Sequence, residues 1–235
     1  MALVGLGILL AAAFVPPLLY VLWIRAHEEH EREPLGRVLR VFVAGGVVGV
    51  GLAIVFSLLL DLQMRPAYEA TALAASYATF AAVAIAPLAE EPAKALCVLF
   101  ARDRHPEPED GLVYGAAAGL GFAATENLLY ESVALASGGL GAYVATSAIR
   151  SVASALLHAS ASAWAGYGLL AWRTGHGSAF AALGWLVLAV AAHAAFNLLA
   201  SFGLAVALAL AIALALVAFR MVRRRVLRLD AVRSA

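Results

Sequence analysis

Several side chains that can exchange protons or bind metals occur inside stretches of sequence that are otherwise apolar. Glu90 and Glu91 are adjacent, and Lys94 follows them three and four residues later. His158 and His193 lie in two further apolar stretches. An ionised group at the centre of a membrane helix costs about 2.5–3.5 kcal/mol on insertion scales, and such groups usually mark a functional site. We therefore take these residues as the core of a candidate site.

Other polar residues lie in the same apolar stretches. Asn197 follows His193 by one helical turn, so the amide and the imidazole are expected to face the same way. Glu126 and Asn127 are adjacent in a separate stretch. A recurrence at every fourth position predicts one polar stripe along a helix, formed by Arg150, Ser154, His158 and Ser162. The pattern indicates that several helices bring polar groups to one layer of the membrane.

Two carboxylates, two imidazoles and an amide are suited to the activation of water. A carboxylate takes a proton from water, and neutral donors stabilise the oxyanion that forms. Lys94 is placed to neutralise one carboxylate and to leave the other free for the proton. Glu90, His158 and His193 are also of the types that hold zinc with an open coordination position. Both forms of hydrolase agree with the sequence, and a glutamate-activated water without an obligatory metal is the preferred interpretation.

Two other intramembrane hydrolase chemistries disagree with the sequence. No His-Glu-x-x-His motif occurs, so the usual zinc-protease helix is absent. The aspartates all lie at the ends of apolar stretches or between them, at Asp61, Asp103, Asp110 and Asp230. An intramembrane aspartate pair is therefore excluded.

The elements that position these residues are predicted to be membrane helices. Hydrophobic residues make up 64% of the chain and charged residues 13%, whereas a soluble domain carries about 25% charged residues. The net charge of +1 gives no indication of a nucleic-acid partner. We predict an all-α transmembrane bundle, a single membrane domain over residues 1–235 with the lipid bilayer as its solvent. About seven spans are expected, at about 2–24, 39–62, 72–101, 111–131, 141–171, 178–199 and 202–220.

The distribution of arginines predicts the orientation of the bundle. The connections and the tail on one side carry most of the basic residues, and the opposite side has only Arg65. The positive-inside rule then predicts an N-terminus outside and a C-terminus in the cytoplasm, in the plasma (inner) membrane. The acidic residues of 28–33, among them Glu33, are expected to be solvated.

Some of these residues also have purely structural interpretations. Lys94 alone is equally well explained as a side chain that extends to the cytoplasmic interface. Arg150 lies at the expected depth of Glu131, and a structural pair between them is an alternative to a catalytic role for Arg150. The serines of the polar stripe are interpreted as packing residues, and Cys97 as a small core residue. Two Gly-x-x-x-Gly motifs, at 45–49 and 115–119, predict close helix packing.

Four motifs in this order resemble the PrsW family of intramembrane proteases, which is related to the CAAX prenyl endopeptidases and the bacterial Abi-type proteins. They are Glu90-Glu91-Pro92-Ala93-Lys94, then Gly121 to Asn127, then Arg150 with His158, and finally His193-Ala194-Ala195-Phe196-Asn197. The resemblance covers about residues 80–200, which would be the catalytic core. The related prenyl endopeptidases carry an arginine in the Glu-Glu motif, with one more intervening residue. This chain has Lys94 instead, so cleavage of the PrsW type is preferred over CAAX processing.

The resemblance implies an endopeptidase that cuts membrane proteins near or within the bilayer. Glu90 and His158 would activate the water. His193 and Asn197 would stabilise the oxyanion. Glu91 would belong to the catalytic Glu-Glu motif and would support Glu90 together with Lys94. The other supporting residues would be Glu126, Asn127 and Arg150. Founding members of the family are associated with cleavage of an anti-sigma factor, so a substrate of that kind is one expectation.

Two other functions agree with a buried cluster of Glu and His. A proton-coupled transporter would use the same groups to relay protons, although no inverted repeat is visible and the groups lie in one layer. A membrane scaffold without catalytic activity is the second alternative. Loss of peptide cleavage on mutation of Glu90 distinguishes the protease from both.

Overall fold

A computed structural model of the protein describes residues 2–26, 32–71, 76–203 and 205–233. Nearly all of the described residues are helical, and none of them forms a strand. The helices are α1 (Ala2–Ala26), α2 (Leu35–Ala44), α3 (Val50–Ala70), α4 (Tyr77–Phe80), α5 (Ala86–Cys97), α6 (Asp110–Ile149), α7 (Ala155–Arg173), α8 (Ala179–Ser201) and α9 (Ala205–Arg233). Three π-helical segments join consecutive helices, at Gly45–Gly49, Ala81–Ile85 and Arg150–Ser154, and a 3₁₀ turn at Val98–Ala101 ends α5.

The predicted class, an all-α membrane protein, is confirmed. Four helical stretches of the described chain are long and apolar enough to cross a membrane: Gly5–Ala26, Leu35–Ala70, Asp110–Arg173 and Ala179–Ser201. The predicted number of seven spans is not confirmed. Residues 72–75, where the third predicted span begins, lie outside the described residues.

The connection predicted at 132–140 contains a break between two helical stretches of α6, although it forms no loop. The break in this long helix is confined to Gly139, whose φ of 70° and ψ of −165° are not helical. Glycine adopts a positive φ without the steric cost that a Cβ brings. The chain therefore changes direction inside α6 without a conventional loop.

The core is formed where α6 packs against α7 and α2 at very short range. Small residues line this contact: a Cβ built on Gly119 would lie 2.2 Å from the carbonyl oxygen of His158, and one on Gly45 would lie 2.1 Å from that of Ala118. In lipid, small residues stabilise helix pairs because they let the backbones approach. The close packing predicted from the two glycine motifs is confirmed. The expectation for Cys97 is also confirmed, since its side chain is fully buried.

Glu33 is not solvated, so that expectation is wrong. Its side chain is only 6% exposed and accepts a hydrogen bond from the Tyr114 hydroxyl at the start of α6. The Arg25 guanidinium donates to the Glu33 backbone carbonyl at 2.6 Å. Burial raises the pKa of the Glu33 carboxyl, while the hydrogen bond from Tyr114 acts in the opposite direction. This contact fastens the segment before α2 to α6; the neighbouring acids at 28, 29 and 31 lie outside the described residues.

Candidate active site

Lys94 is the centre of the polar cluster. Its ammonium lies 2.6 Å from Glu91 Oε1, 3.3 Å from Glu90 Oε2 and 2.9 Å from His158 Nδ1. Three ammonium protons thus have three acceptors. The side chain is fully buried, so the alternative that Lys94 extends to the membrane interface is wrong. The single positive charge of Lys94 is thus shared between two adjacent carboxylates and balances one of their two negative charges.

Glu91 is enclosed by protein and has no access to a substrate. Besides Lys94, its carboxylate accepts from His193 Nδ1 at 2.8 Å and from the Ser162 hydroxyl at 3.3 Å. Its side chain is fully buried, whereas that of Glu90 is 13% exposed. Of the two carboxylates, Glu90 is therefore the one that a water molecule can reach. Ser162 was interpreted as a packing residue, and its hydrogen bond to Glu91 corrects that interpretation.

The hydrogen bonds of His158 determine which of its ring nitrogens carries the proton. Lys94 has only protons to offer, so Nδ1 of His158 is the acceptor in their contact. Nε2 then carries the proton and donates to Glu126 Oε2 at 3.0 Å. His158 is consequently a neutral imidazole that connects the Lys94 cluster to α6.

Glu126 is the ion-pair partner of Arg150, so the predicted pair between Arg150 and Glu131 is wrong. The Arg150 guanidinium lies 2.7 Å from Glu126 Oε2 and donates through Nε to Asn127 Oδ1 at 3.0 Å. A helix advances about 100° per residue, so positions 126 and 131 face different sides of α6. Arg150, at the start of the π-helical segment before α7, faces the side that carries Glu126.

His193 joins the cluster from α8. Its ring is perpendicular to that of His158, with 4.9 Å between the two centroids. Since Nδ1 donates to the Glu91 carboxylate, Nε2 keeps its lone pair. His193 lines a cavity of about 290 Å³, on whose wall Glu90, Glu126, Arg150, His158 and Asn197 also lie. This cavity is where a substrate would meet the cluster.

A second and larger cavity reaches the same carboxylate from another side. It measures about 560 Å³ and lies between α3 and the π-helical segment Ala81–Ile85, with apolar walls apart from Ser57, Asp61, Arg65 and Glu90. Three residues line both cavities: Ala82, Ala86 and Glu90. Glu90 therefore stands between two spaces, of which one is largely apolar and the other holds most of the polar side chains of the cluster.

All nine residues predicted for the site lie in or next to this cluster. Asn197 lies on the wall of the smaller cavity, and its amide nitrogen donates to the Ala82 carbonyl at 2.8 Å. The sequence reasoning missed two aromatic residues of α6: Lys94 lies over the Phe122 ring at 4.6 Å, and Arg150 over the Tyr130 ring at 4.1 Å. Both are four residues from Glu126, so the helical period of α6 was the signal that could have found them.

The side chains agree in part with the requirements of a zinc site. One ligand atom from each of Glu90, His158 and His193 lies within 4.8 Å of the others. His193 is presented as zinc ligands usually are, with one nitrogen free and the other donating to a carboxylate. His158 would first have to exchange its hydrogen bond to Glu126 for the metal. A second group, Glu33, Asp103 and Asp110, offers only carboxylates, which zinc favours less.

Comparison with known proteins identifies the family of the chain. The family model described as "PrsW family intramembrane metalloprotease" matches residues 33–222. Two curated relatives, both called "Protease PrsW", come from Clostridioides difficile (strain 630) and Geobacillus kaustophilus (strain HTA426). They are 31% and 34% identical over 121 and 125 residues, which are 50% and 52% of this chain.

The matches cover 48% and 51% of those relatives, so the chain spans about half the length of the curated proteins that it resembles. No solved structure matches the chain. The family model, in contrast, covers most of the sequence, including every residue of the cluster described above. The chain belongs to the PrsW family of intramembrane metalloproteases.

Proposed function

We propose that the protein is an intramembrane endopeptidase that hydrolyses peptide bonds of membrane proteins near or within the bilayer. The observation that carries the proposal is the contrast between the two adjacent glutamates. Glu91 is fully buried and bound by Lys94 and His193, whereas Glu90 is on the wall of both cavities. Glu91 thus holds Lys94 and His193 in place, and Glu90 remains free to act on water.

In the proposed mechanism a water molecule binds in the smaller cavity between Glu90 and His193. Glu90 takes a proton from the water, and the hydroxide attacks the carbonyl carbon of the scissile peptide bond. His193 is oriented by Glu91 and accepts a hydrogen bond from the water through Nε2. The proton on Glu90 then passes to the leaving amine, so that an acid and an amine are released.

The negative charge that develops on the peptide oxygen needs a donor on the cavity wall. Arg150 lies on this wall with a side chain that is 15% exposed, and its contacts to Glu126 and Asn127 hold the guanidinium in place. A guanidinium has five N–H donors, so some remain for an oxyanion. This contact gives Arg150 a role in the reaction in addition to its ion pair.

A zinc ion would be held by Glu90, His193 and His158. When bound, it would supply Lewis-acid polarisation of the scissile carbonyl. His158 would be a ligand only after giving up one of its hydrogen bonds, to Glu126 or to Lys94, whereas His193 would offer Nε2. The metal-free steps above use the hydrogen bonds as they stand.

The membrane orientation is a further part of the proposal. With the seven predicted spans, most arginines in the connections and in the tail would fall on one side of the bundle, which is the cytoplasmic side by the positive-inside rule. The proposed location is therefore the plasma (inner) membrane, with the N-terminus outside and the C-terminus in the cytoplasm. The substrate is then a membrane protein of the same bilayer, and an anti-sigma factor is the kind that the family resemblance suggests.

A survey of new protein N-termini in cell membranes tests the proposal. Cells with the wild-type protein are compared with cells that carry Glu90→Gln or His193→Ala. The matched controls are Glu69→Gln and His176→Ala, which change exposed residues of the same types. We expect cleavage sites in or beside transmembrane segments that are lost in the first pair and kept in the second. Identical surveys from equally abundant proteins would reject the protease and favour a transporter or a scaffold.

A further inference from the structure

The π-helical segment Ala81–Ile85 leaves one backbone carbonyl without its helical donor. The backbone N–H of Ala86, directly after the segment, bonds to the carbonyl of Ala81, five residues back. In this register the next donor would be the N–H of residue 87, and its acceptor would be the Ala82 carbonyl. Residue 87 is proline, which has no N–H. The Ala82 carbonyl is therefore left unpaired by its own helix.

Asn197 fills this gap from α8. Its Nδ2 lies 2.8 Å from the Ala82 oxygen, at the level where Ala82 lines both cavities. A carbonyl that is unpaired at membrane depth is strongly destabilising, because the hydrocarbon offers no donor to replace the missing one. The side chain of Asn197 thus supplies the hydrogen bond that Pro87 cannot make.

The consequence concerns the position of the catalytic carboxylate. Glu90 follows Pro87 by less than one turn, so the direction of α5 after the π-helical segment determines where the Glu90 carboxylate lies in the cavity. α8 also carries His193, one turn before Asn197. The bond from Asn197 to Ala82 therefore attaches the π-helical segment before Glu90 to α8, in addition to the bond from His193 to Glu91.

We propose that Asn197 is a positioning residue, which acts by bonding the carbonyl that Pro87 leaves free and not by donating to the oxyanion. This inference rests on the proposed protease function for its activity test. It differs from the expectation drawn from the family resemblance, in which Asn197 contacts the reacting group. The two roles make opposite predictions for a change at Pro87.

The test is rescue by a second substitution. Asn197→Ala alone is expected to lower cleavage by about 10²-fold, the loss typical of a catalytic group displaced by about 1 Å. Pro87→Ala restores a backbone N–H that can bond the Ala82 carbonyl, so the double variant Pro87→Ala/Asn197→Ala is expected to recover at least about tenfold over Asn197→Ala. If Asn197 instead donates to the oxyanion, a backbone change on α5 cannot replace it, and absence of recovery would overturn the inference.

A second readout does not depend on activity. Hydrogen exchange of the detergent-solubilised protein reports directly on the backbone of residues 81–91. Exchange is expected to rise in Asn197→Ala and to return to the wild-type level in the double variant. Unchanged exchange in Asn197→Ala would reject the positioning role. A wild type without cleavage that shows the expected exchange pattern would reject the protease proposal alone, so the two failures can be told apart.

Thr125 provides the matched control. Its hydroxyl donates to the Gly46 carbonyl at 2.9 Å, the corresponding contact on the π-helical segment Gly45–Gly49. No proline follows that segment, so Pro87→Ala cannot supply a backbone N–H to the Gly46 carbonyl. Pro87→Ala is therefore expected to leave any defect of Thr125→Ala unchanged. Equal recovery in both backgrounds would mean that Pro87→Ala stabilises the protein in general, and the rescue would no longer support the inference.

Discussion

Glu126 and His158 lie 3.0 Å apart, from carboxylate Oε2 to imidazole Nε2, and the same oxygen is 2.7 Å from the Arg150 guanidinium. The carboxylate thus receives one neutral and one charged donor. Through His158 it is connected to Lys94, and through Lys94 to both Glu90 and Glu91. The ionisable groups alternate in charge from Arg150 to Glu90 and Glu91, which is how a small membrane protein can keep so many of them buried.

Replacing Arg150 by lysine tests whether the site needs a planar guanidinium that binds two partners at once. Arg150 binds Glu126 and Asn127 through different nitrogens, and an ammonium cannot reproduce this geometry. We expect Arg150→Lys to keep the protein folded and to lower kcat by about 10-fold or more with little change in KM, because an oxyanion donor is displaced. The measurement is steady-state cleavage of a model membrane substrate. Arg173→Lys, at an exposed position at the end of α7, is the control. A large rise in KM at constant kcat would place Arg150 in substrate binding instead.

Removing the buried cation should destabilise the protein more than removing an exposed one. Lys94→Met leaves Glu90 and Glu91 without their common partner, and breaking a buried ion pair costs about 3–5 kcal/mol. We therefore expect a clear fall in the midpoint of thermal unfolding in detergent. The double variant Lys94→Met/Glu91→Gln removes one of the unpaired charges and should recover part of the loss while remaining inactive. Arg65→Met, which breaks an exposed pair with Asp61, should change the midpoint little.

The sequence predicted those parts of the site that follow from the energetic cost of burying a charge and from the spacing of residues along one helix. Charges in apolar stretches are expensive, and Lys94 is within one helical turn of both glutamates, so their association could be expected without a structure. The partner of Arg150 could not be predicted in this way. Depth alone favoured Glu131, whereas the rotation of α6 presents Glu126. Nor does spacing indicate that Glu33 meets Tyr114, since 81 residues separate them and only the tertiary packing brings them together.

The close packing of α6 on α7 gives a prediction about the backbone that carries His158. A Cβ at position 119 would lie 2.2 Å from the His158 carbonyl oxygen and 2.8 Å from Ser162 Oγ, so Gly119→Ala must push the two helices apart. Overpacking of this kind costs about 1–3 kcal/mol. We expect a lower unfolding midpoint together with a loss of cleavage, since both His158 and Ser162 move. Gly141→Ala, in the same helix with open space around it, should leave both quantities near the wild-type value. Wild-type behaviour of Gly119→Ala would mean that α6 and α7 are further apart than described.

Zinc binding can be tested through His193 without reference to activity. Its Nε2 lone pair is free and its Nδ1 donates to Glu91, the arrangement that holds the ring of a zinc ligand in place. In a competition titration of zinc with a chromophoric chelator, His193→Ala should abolish the tightest site. Glu91→Gln should weaken it by about 10–100-fold, as loss of a carboxylate that orients a ligand usually does. His176→Ala removes an exposed histidine and should have no effect. If His193→Ala bound zinc as tightly as the wild type, the metal would lie elsewhere, with the acidic group of Glu33, Asp103 and Asp110 as the next site to test, and the glutamate-activated water alone would account for catalysis.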